Sequence, residues 1–218
     1  MRLPNSRIDM NVPLVADAGF WINLAAIERP GELLKALRQP VIVPDVALEE
    51  IKRGKATDRQ SAGVVEALVS AGHVKLETLP PSALTAYAAL VAGPAAKTLD
   101  DGEAATLALA NALGGVAIID EQKARRLSPI HFPELRLVYS IEILLSPAVE
   151  EAVGRTRVSD AVFAALNISR MRIPSGLVAS VIEVIGYDRA RLCHSLRNHS
   201  WAVSEINAGS PPTAETGS

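Results

Sequence analysis

Along residues 14–147, short unbroken apolar runs alternate with stretches whose apolar residues recur at helical spacing. This is the pattern of a mainly parallel sheet covered by helices on both faces. Strands are predicted at Leu14 to Ala16, Val41 to Val43, His73 to Leu79, Val116 to Ile119 and Leu135 to Ser140. Between them AGFWINLAAI, GELLKALRQ, VALEEIKRG, ATDRQSAGVVEALVSAG, SALTAYAALVAG, ATLALANAL and EQKARRLS read as helices, with IEILL a short one after the last strand. Gly54, Gly93-Pro94 and Ser128-Pro129 supply stops, since Gly and Pro interrupt regular structure. From residue 148 the pattern changes: AVEEAVG, SDAVFAALNISR, PSGLVASVIEVIG and DRARLCHSLRNHSWAVSEI read as helices with no further strand. An α/β domain over 14–147, a helical extension over 148–207 packed on it and a disordered, polar tail over 208–218 are expected.

The central stretch is LDDGEAATLALANALGGVAIIDE, Leu99 to Glu121. Asp100 or Asp101 can cap its helix, Gly114 and Gly115 provide a left-handed exit, and the strand that follows ends at Asp120. Ligands bind at the C-terminal edge of an open α/β sheet, which makes an acid at a strand end worth tracing. Asp17 stands at the end of the first strand in the same way. Glu103 lies in the first turn of the helix before Asp120, and Glu49 or Glu50 lies one turn into a helix that leaves the same edge.

Carboxylates gathered in one cleft repel one another unless a cation or protons neutralise them. An all-oxygen set without histidine or thiolate matches Mg²⁺ or Mn²⁺, and the chemistry suggested is phosphodiester hydrolysis. Asp45, Asp100 and Asp101 are read instead as helix-start acids, and Glu121 as the first-turn acid of the next helix. Glu103 fits either role.

Composition narrows the class. Hydrophobic residues make up 49% and aromatic residues only 4%, which suits helices layered on a sheet. The single cysteine, Cys193, excludes an internal disulfide and a cysteine-based zinc site. MRLPNSRIDMNVP lacks an apolar segment of signal-peptide length, and no apolar run approaches the roughly 18 residues of a membrane span, so a cytoplasmic protein without membrane association is expected. The formal net charge of −2 argues against a generic, strongly basic nucleic-acid binder. Basic clusters at Lys52, Arg53 and Lys55, at Lys123, Arg125 and Arg126, at Arg155 and Arg157, and at Arg170 and Arg172 are each read as solvated helix faces.

His194 and His199, the closest pair of histidines, miss the i, i+4 spacing that lets two imidazoles share a metal. There is no GxGxxG, GxxxxGK[ST] or GxSxG, so the motif evidence for dinucleotide binding, P-loop chemistry and α/β-hydrolases is lacking. Asp17-Ala18-Gly19 also lacks the DxD that a dehalogenase-like phosphoryl-transfer site requires.

In order, VADAGFWINLAAI, VIVPDVALEEI, LDDGEAATLALA and VAIIDEQKAR resemble the PIN-domain family, which includes toxin ribonucleases of the VapC type. The resemblance covers about residues 14 to 140. It implies a three-layer α/β/α domain and an acidic site of Asp17, Glu50, Glu103 and Asp120 that binds Mg²⁺ or Mn²⁺ in a ribonuclease. Glu50 is preferred to Glu49 because the family's proline-led helix carries its Glu six residues after the proline, here Pro44. Asn23 falls where many relatives carry a polar residue. Lys52, Arg53, Lys123, Arg125 or Arg126 would engage the RNA backbone. The partners implied are an RNA substrate, an antitoxin protein and a second copy of the chain; the alternative is a catalytically weak PIN-fold module that binds RNA or a protein.

Overall fold

A computed structural model of the chain describes residues 12–197. The predicted tail at 208–218, the end of the last predicted helix and His199 lie outside the described residues. Among the described residues no helix is long and apolar enough to cross a membrane.

Five strands form one parallel sheet: β1 (Leu14–Ala16), β2 (Val41–Pro44), β3 (Lys75–Glu77), β4 (Val116–Ile118) and β5 (Arg136–Val138), in the order β3-β2-β1-β4-β5. The register sets Leu14 beside both Val41 and Val116, and Val116 beside Arg136. Successive side chains on a strand face opposite ways, and here that alternation divides the core in two. Leu14, Ala16, Val43, Ile118 and Val138 belong to one apolar cluster, whereas Val15, Ile42, Ala117 and Ile119 belong to the other.

The first cluster is closed by α1 (Ala18–Ala25), α2 (Pro30–Ala36), α3 (Asp45–Arg53) and α4 (Ala56–Ser70). The second is closed by α5 (Pro81–Val91), α6 (Asp101–Ala112) and α7 (Gln122–His131). The result is three layers, α/β/α, as expected. C-terminal to β5 come α8 (Ser140–Leu144), α9 (Pro147–Val153), α10 (Arg155–Asn167), a 3₁₀ turn (Ser175–Leu177), α11 (Val178–Ile185), α12 (Tyr187–Leu192) and α13 (His194–Arg197). Their apolar faces, including Ile141, Val162, Leu166, Val181 and Leu196, join the first cluster. Phe20 and Trp21, fully packed edge to face at 5.1 Å, stand within that same cluster.

Local differences from expectation have physical causes. Pro129 does not end α7: a proline removes only its own N–H, and the Phe132 N–H still closes on the Ser128 carbonyl at 2.7 Å. Asp45 is the first helical residue of α3 rather than its cap, because Pro44, extended at the end of β2, occupies the cap position. The predicted helix SDAVFAALNISR stops at Asn167, since Arg170 turns into the left-handed region (φ 57°). The predicted last helix is split where buried Cys193 takes an extended conformation.

Candidate active site

With this strand order the chain moves outward from β1 to β2 and later returns on the other side of β1 with β4. A crevice therefore opens between the C-terminal ends of β1 and β4, the switch point at which open α/β sheets take up ligands. Asp17 directly follows β1, and Asp120 follows Ile119 at the end of β4.

Each acid is held by its local structure. Asp17 caps α1 in an extended conformation, with Oδ1 accepting from the Phe20 N–H at 2.9 Å, and is only 5% exposed. Asp120 Oδ1 accepts from the Ser140 N–H at the start of α8 (2.8 Å), and its Oδ2 accepts from Asn23 Nδ2 on α1 (3.1 Å). Glu103 stands in the first turn of α6, and Glu50 in the last part of α3, which packs against α6. All four line one cleft of about 270 Å³. Glu49 does not: it lies on the exposed side of α3 and pairs with Lys52 at 2.9 Å. Asp100 occupies the cap position of α6, and Asp101 accepts from the Tyr87 hydroxyl at 3.2 Å. A larger cavity of about 720 Å³ lies between α2 and α9, lined by a mixture of acids and bases such as Glu32, Lys35, Glu151 and Arg157. It contains none of the carboxylates whose acidity is disturbed.

Those disturbances concentrate in the cleft. Burial, then the nearby Asp120, pushes the Asp17 carboxyl up to about 8 despite the Phe20 N–H. Burial, then Asp100 and Glu121, raises Glu103 to about 7. Burial raises Asp120, offset in part by Ser140 and Arg125. Glu50 is raised by burial and Asp100, with the Gly102 amide pulling the other way. Several acids strained toward their neutral forms in one cleft mark a functional site more often than a structural one.

A family model, DUF3368, described as a PIN domain, matches residues 13–187. The chain belongs to the PIN-domain family. No curated protein and no solved structure matches it. PIN domains have a nuclease fold and are generally metal-dependent.

The donor set of this PIN domain fits a hard divalent cation. It consists of carboxylate oxygens, which Mg²⁺ and Mn²⁺ prefer. Glu50 Oε2 is buried and makes no hydrogen bond of full geometry, so the nearby Gly102 amide only partly offsets the cost of a charged oxygen there. It sits against Gly102, where a Cβ would run into it, so the helix start is hollowed to admit the carboxylate. Among the described residues no three acid, histidine or cysteine side chains stand close enough together to hold an ion as they are placed.

The expected RNA-binding cations are arranged differently from the acids. Lys52 bridges Glu49 and Glu66, each at 2.9 Å, and Arg53 Nε donates to the Glu49 carbonyl. Arg125 donates to the Ile119 carbonyl at 2.9 Å and lies 3.4 Å over the Tyr139 ring. Lys123 and Arg126 are on α7 and do not line the cleft. The bases that do line it are Arg170 and Arg172, in the turn after α10, not on a solvated helix face as the sequence suggested. Glu121, expected to be a plain helix-start acid, also lines the cleft and accepts from Arg172 at 2.7 Å. The missed signal is the alternation in Arg170-Met171-Arg172-Ile173, where polar and apolar residues change places every residue before Pro174. That period belongs to an extended segment rather than a helix. The left-handed backbone at Arg170 costs an L-residue about 1–2 kcal/mol.

Proposed function

We propose that this PIN domain is a Mg²⁺- or Mn²⁺-dependent endoribonuclease whose metal is held by Asp17, Glu50, Glu103 and Asp120. The observation that carries the reading is the convergence of these carboxylates, from four separate elements, on one cleft at the sheet's switch point. A bound ion would supply Lewis acidity toward a phosphoryl oxygen and a more acidic water. The chain's own part is orientation. Asp17 uses Oδ1 on the Phe20 N–H and keeps Oδ2 for the cleft. Asp120 is fixed through both oxygens by Ser140 and Asn23. Glu103 faces the same cleft from the first turn of α6.

The resemblance to VapC-type toxins extends the proposal to a cytoplasmic toxin restrained by an antitoxin and acting as a homo-oligomer. Co-purification with the product of an adjacent gene, and the loss of cleavage in that complex, would support this part. The spacing of the acid side chains, which form no ready-made group of three among the described residues, favours a second reading, a catalytically weak PIN module that binds RNA or a protein partner.

The test is incubation of purified full-length chain with a mixed RNA pool in Mn²⁺, in Mg²⁺ and in EDTA, beside Asp17→Asn. Cleavage that needs both the metal and Asp17 supports the nuclease. Retained RNA binding without cleavage in any condition supports the module.

A further inference from the structure

Resting on the reading of this cleft as an RNA site, we propose that Ser169–Arg172 is its substrate clamp, with Arg170 and Arg172 holding backbone phosphates of the strand beside the one at the acids. The cleft volume of about 270 Å³ falls just below the roughly 300 Å³ at which pockets that engulf a whole small molecule begin. It admits part of a polymer, and the remainder of the strand must cross the rim. At that rim a polyanion meets Glu121 and the outer edges of the acids, and Arg170 and Arg172 are the cations among the cleft-lining residues.

The segment is built to present those two side chains. The Ser169 hydroxyl lies 3.0 Å from Asn23 Oδ1 and 2.7 Å from the Ala165 carbonyl. The Met171 side chain is buried, and its N–H donates to the same Ala165 carbonyl at 3.0 Å. Between these anchors the left-handed Arg170 reverses the chain, so the backbone is pinned while both guanidinium groups are exposed. A pinned backbone lowers the ordering cost of binding. Arg170 has no side-chain partner among the described residues. Arg172 holds Glu121, but its side chain is 72% exposed, and such a surface pair contributes little and exchanges readily for a phosphate, which a guanidinium grips in bidentate fashion. Asn23 ties the clamp to the chemistry, since it contacts both Ser169 and Asp120. Arg170 and Arg172 are thus substrate-binding residues on a turn anchored, through Ser169, to the same amide that orients a site acid.

The experiment measures binding of a fluorescent single-stranded RNA to the full chain carrying Asp17→Asn, in Mn²⁺ and at several salt concentrations, with and without Arg170→Ala, Arg172→Ala or both. Arg172→Lys tests the need for the fork, and Lys35→Ala in the distant cavity is the control. Each lost phosphate contact should flatten the slope of log K against log salt by about 0.7, and the double variant by about 1.4. With Asp17 restored, the arginine variants should raise KM and leave kcat nearly unchanged, because phosphate binding at a flank is uniform between ground and transition states. Arg172→Lys should recover the slope more fully than KM, since it restores charge but not the bidentate grip. An unchanged slope and KM in a folded double variant, with the parent chain still cleaving, would overturn the clamp and leave the nuclease reading intact. A flattened slope in a chain that never cleaves with any metal would support the clamp and remove the nuclease reading. Absence of RNA binding by the unsubstituted chain would overturn both.

Discussion

Asn23 donates from Nδ2 to Asp120 Oδ2 at 3.1 Å, and its Oδ1 lies 3.0 Å from the Ser169 hydroxyl. One buried amide on α1 thereby joins the acid that ends β4 to the turn that follows α10. Asn23→Ala removes one of two donors to Asp120 and leaves a carboxylate oxygen unpaired. The expected cost is about 1–3 kcal/mol of stability, read by urea denaturation. Cleavage or Mn²⁺ affinity should fall roughly 10- to 100-fold, as when the partner that orients a ligand is removed. Full Mn²⁺ affinity and cleavage in a folded Asn23→Ala protein would show that Asp120 needs no such orientation.

The acids also make stability depend on pH. Asp17 moves from 3.8 to about 8 and Glu103 from 4.5 to about 7 on folding. The folded chain therefore binds these protons more tightly than the unfolded chain, so their contribution is complete below about pH 4 and is lost as pH rises through about 8. In EDTA, Asp17→Asn should melt progressively higher than the unsubstituted protein as pH increases from 4 to 8. The Asn side chain can still accept from the Phe20 N–H as a cap, so the variant keeps that bond. A difference in melting temperature that is flat across this range would contradict a buried, neutral Asp17.

Adding Mn²⁺ at pH 8 should reverse the penalty. At a concentration about 100 times Kd, a ligand that binds only the native state contributes about 2.7 kcal/mol, roughly 5–10 °C for a chain of this size. Asp17→Asn should lose most of that rise along with cleavage. Equal Mn²⁺ shifts in the two proteins, measured by differential scanning calorimetry, would place the ion elsewhere.

Gly102 tests Glu50. In most helices Gly→Ala adds up to about 1 kcal/mol of stability. Here the new Cβ would run into Glu50 Oε2 and stand 3.4 Å from Ala47 Cα, so the cheapest relief is to push the flexible Glu50 carboxylate out of the cleft. Gly102→Ala should fold with stability within about 1 kcal/mol of the parent yet lose about tenfold or more in Mn²⁺ affinity. Unchanged affinity would mean that Glu50 does not hold the ion.

What was legible in the sequence was local. Three-residue strands such as Leu14–Ala16 and Val116–Ile118 stood out because burial on both sheet faces demands uninterrupted apolar residues, and Asp17 and Asp120 were visible as the acids that close them. Between Glu49 and Glu50 the helical pattern left both open and only the family resemblance favoured Glu50; the packing of α3 against α6 is what turns Glu50 into the cleft. Tertiary structure alone brought Asn23 to Asp120 across 97 residues and Ser169 to Asn23 across 146. It also engaged Lys52 and Arg125 within the fold and carried Arg170 and Arg172 to the site. Hydrophobic period reports which side of an element is buried, because burial follows from the local geometry of helix and strand. A charged side chain's partner depends on which distant element packs beside it, and no local period encodes that choice.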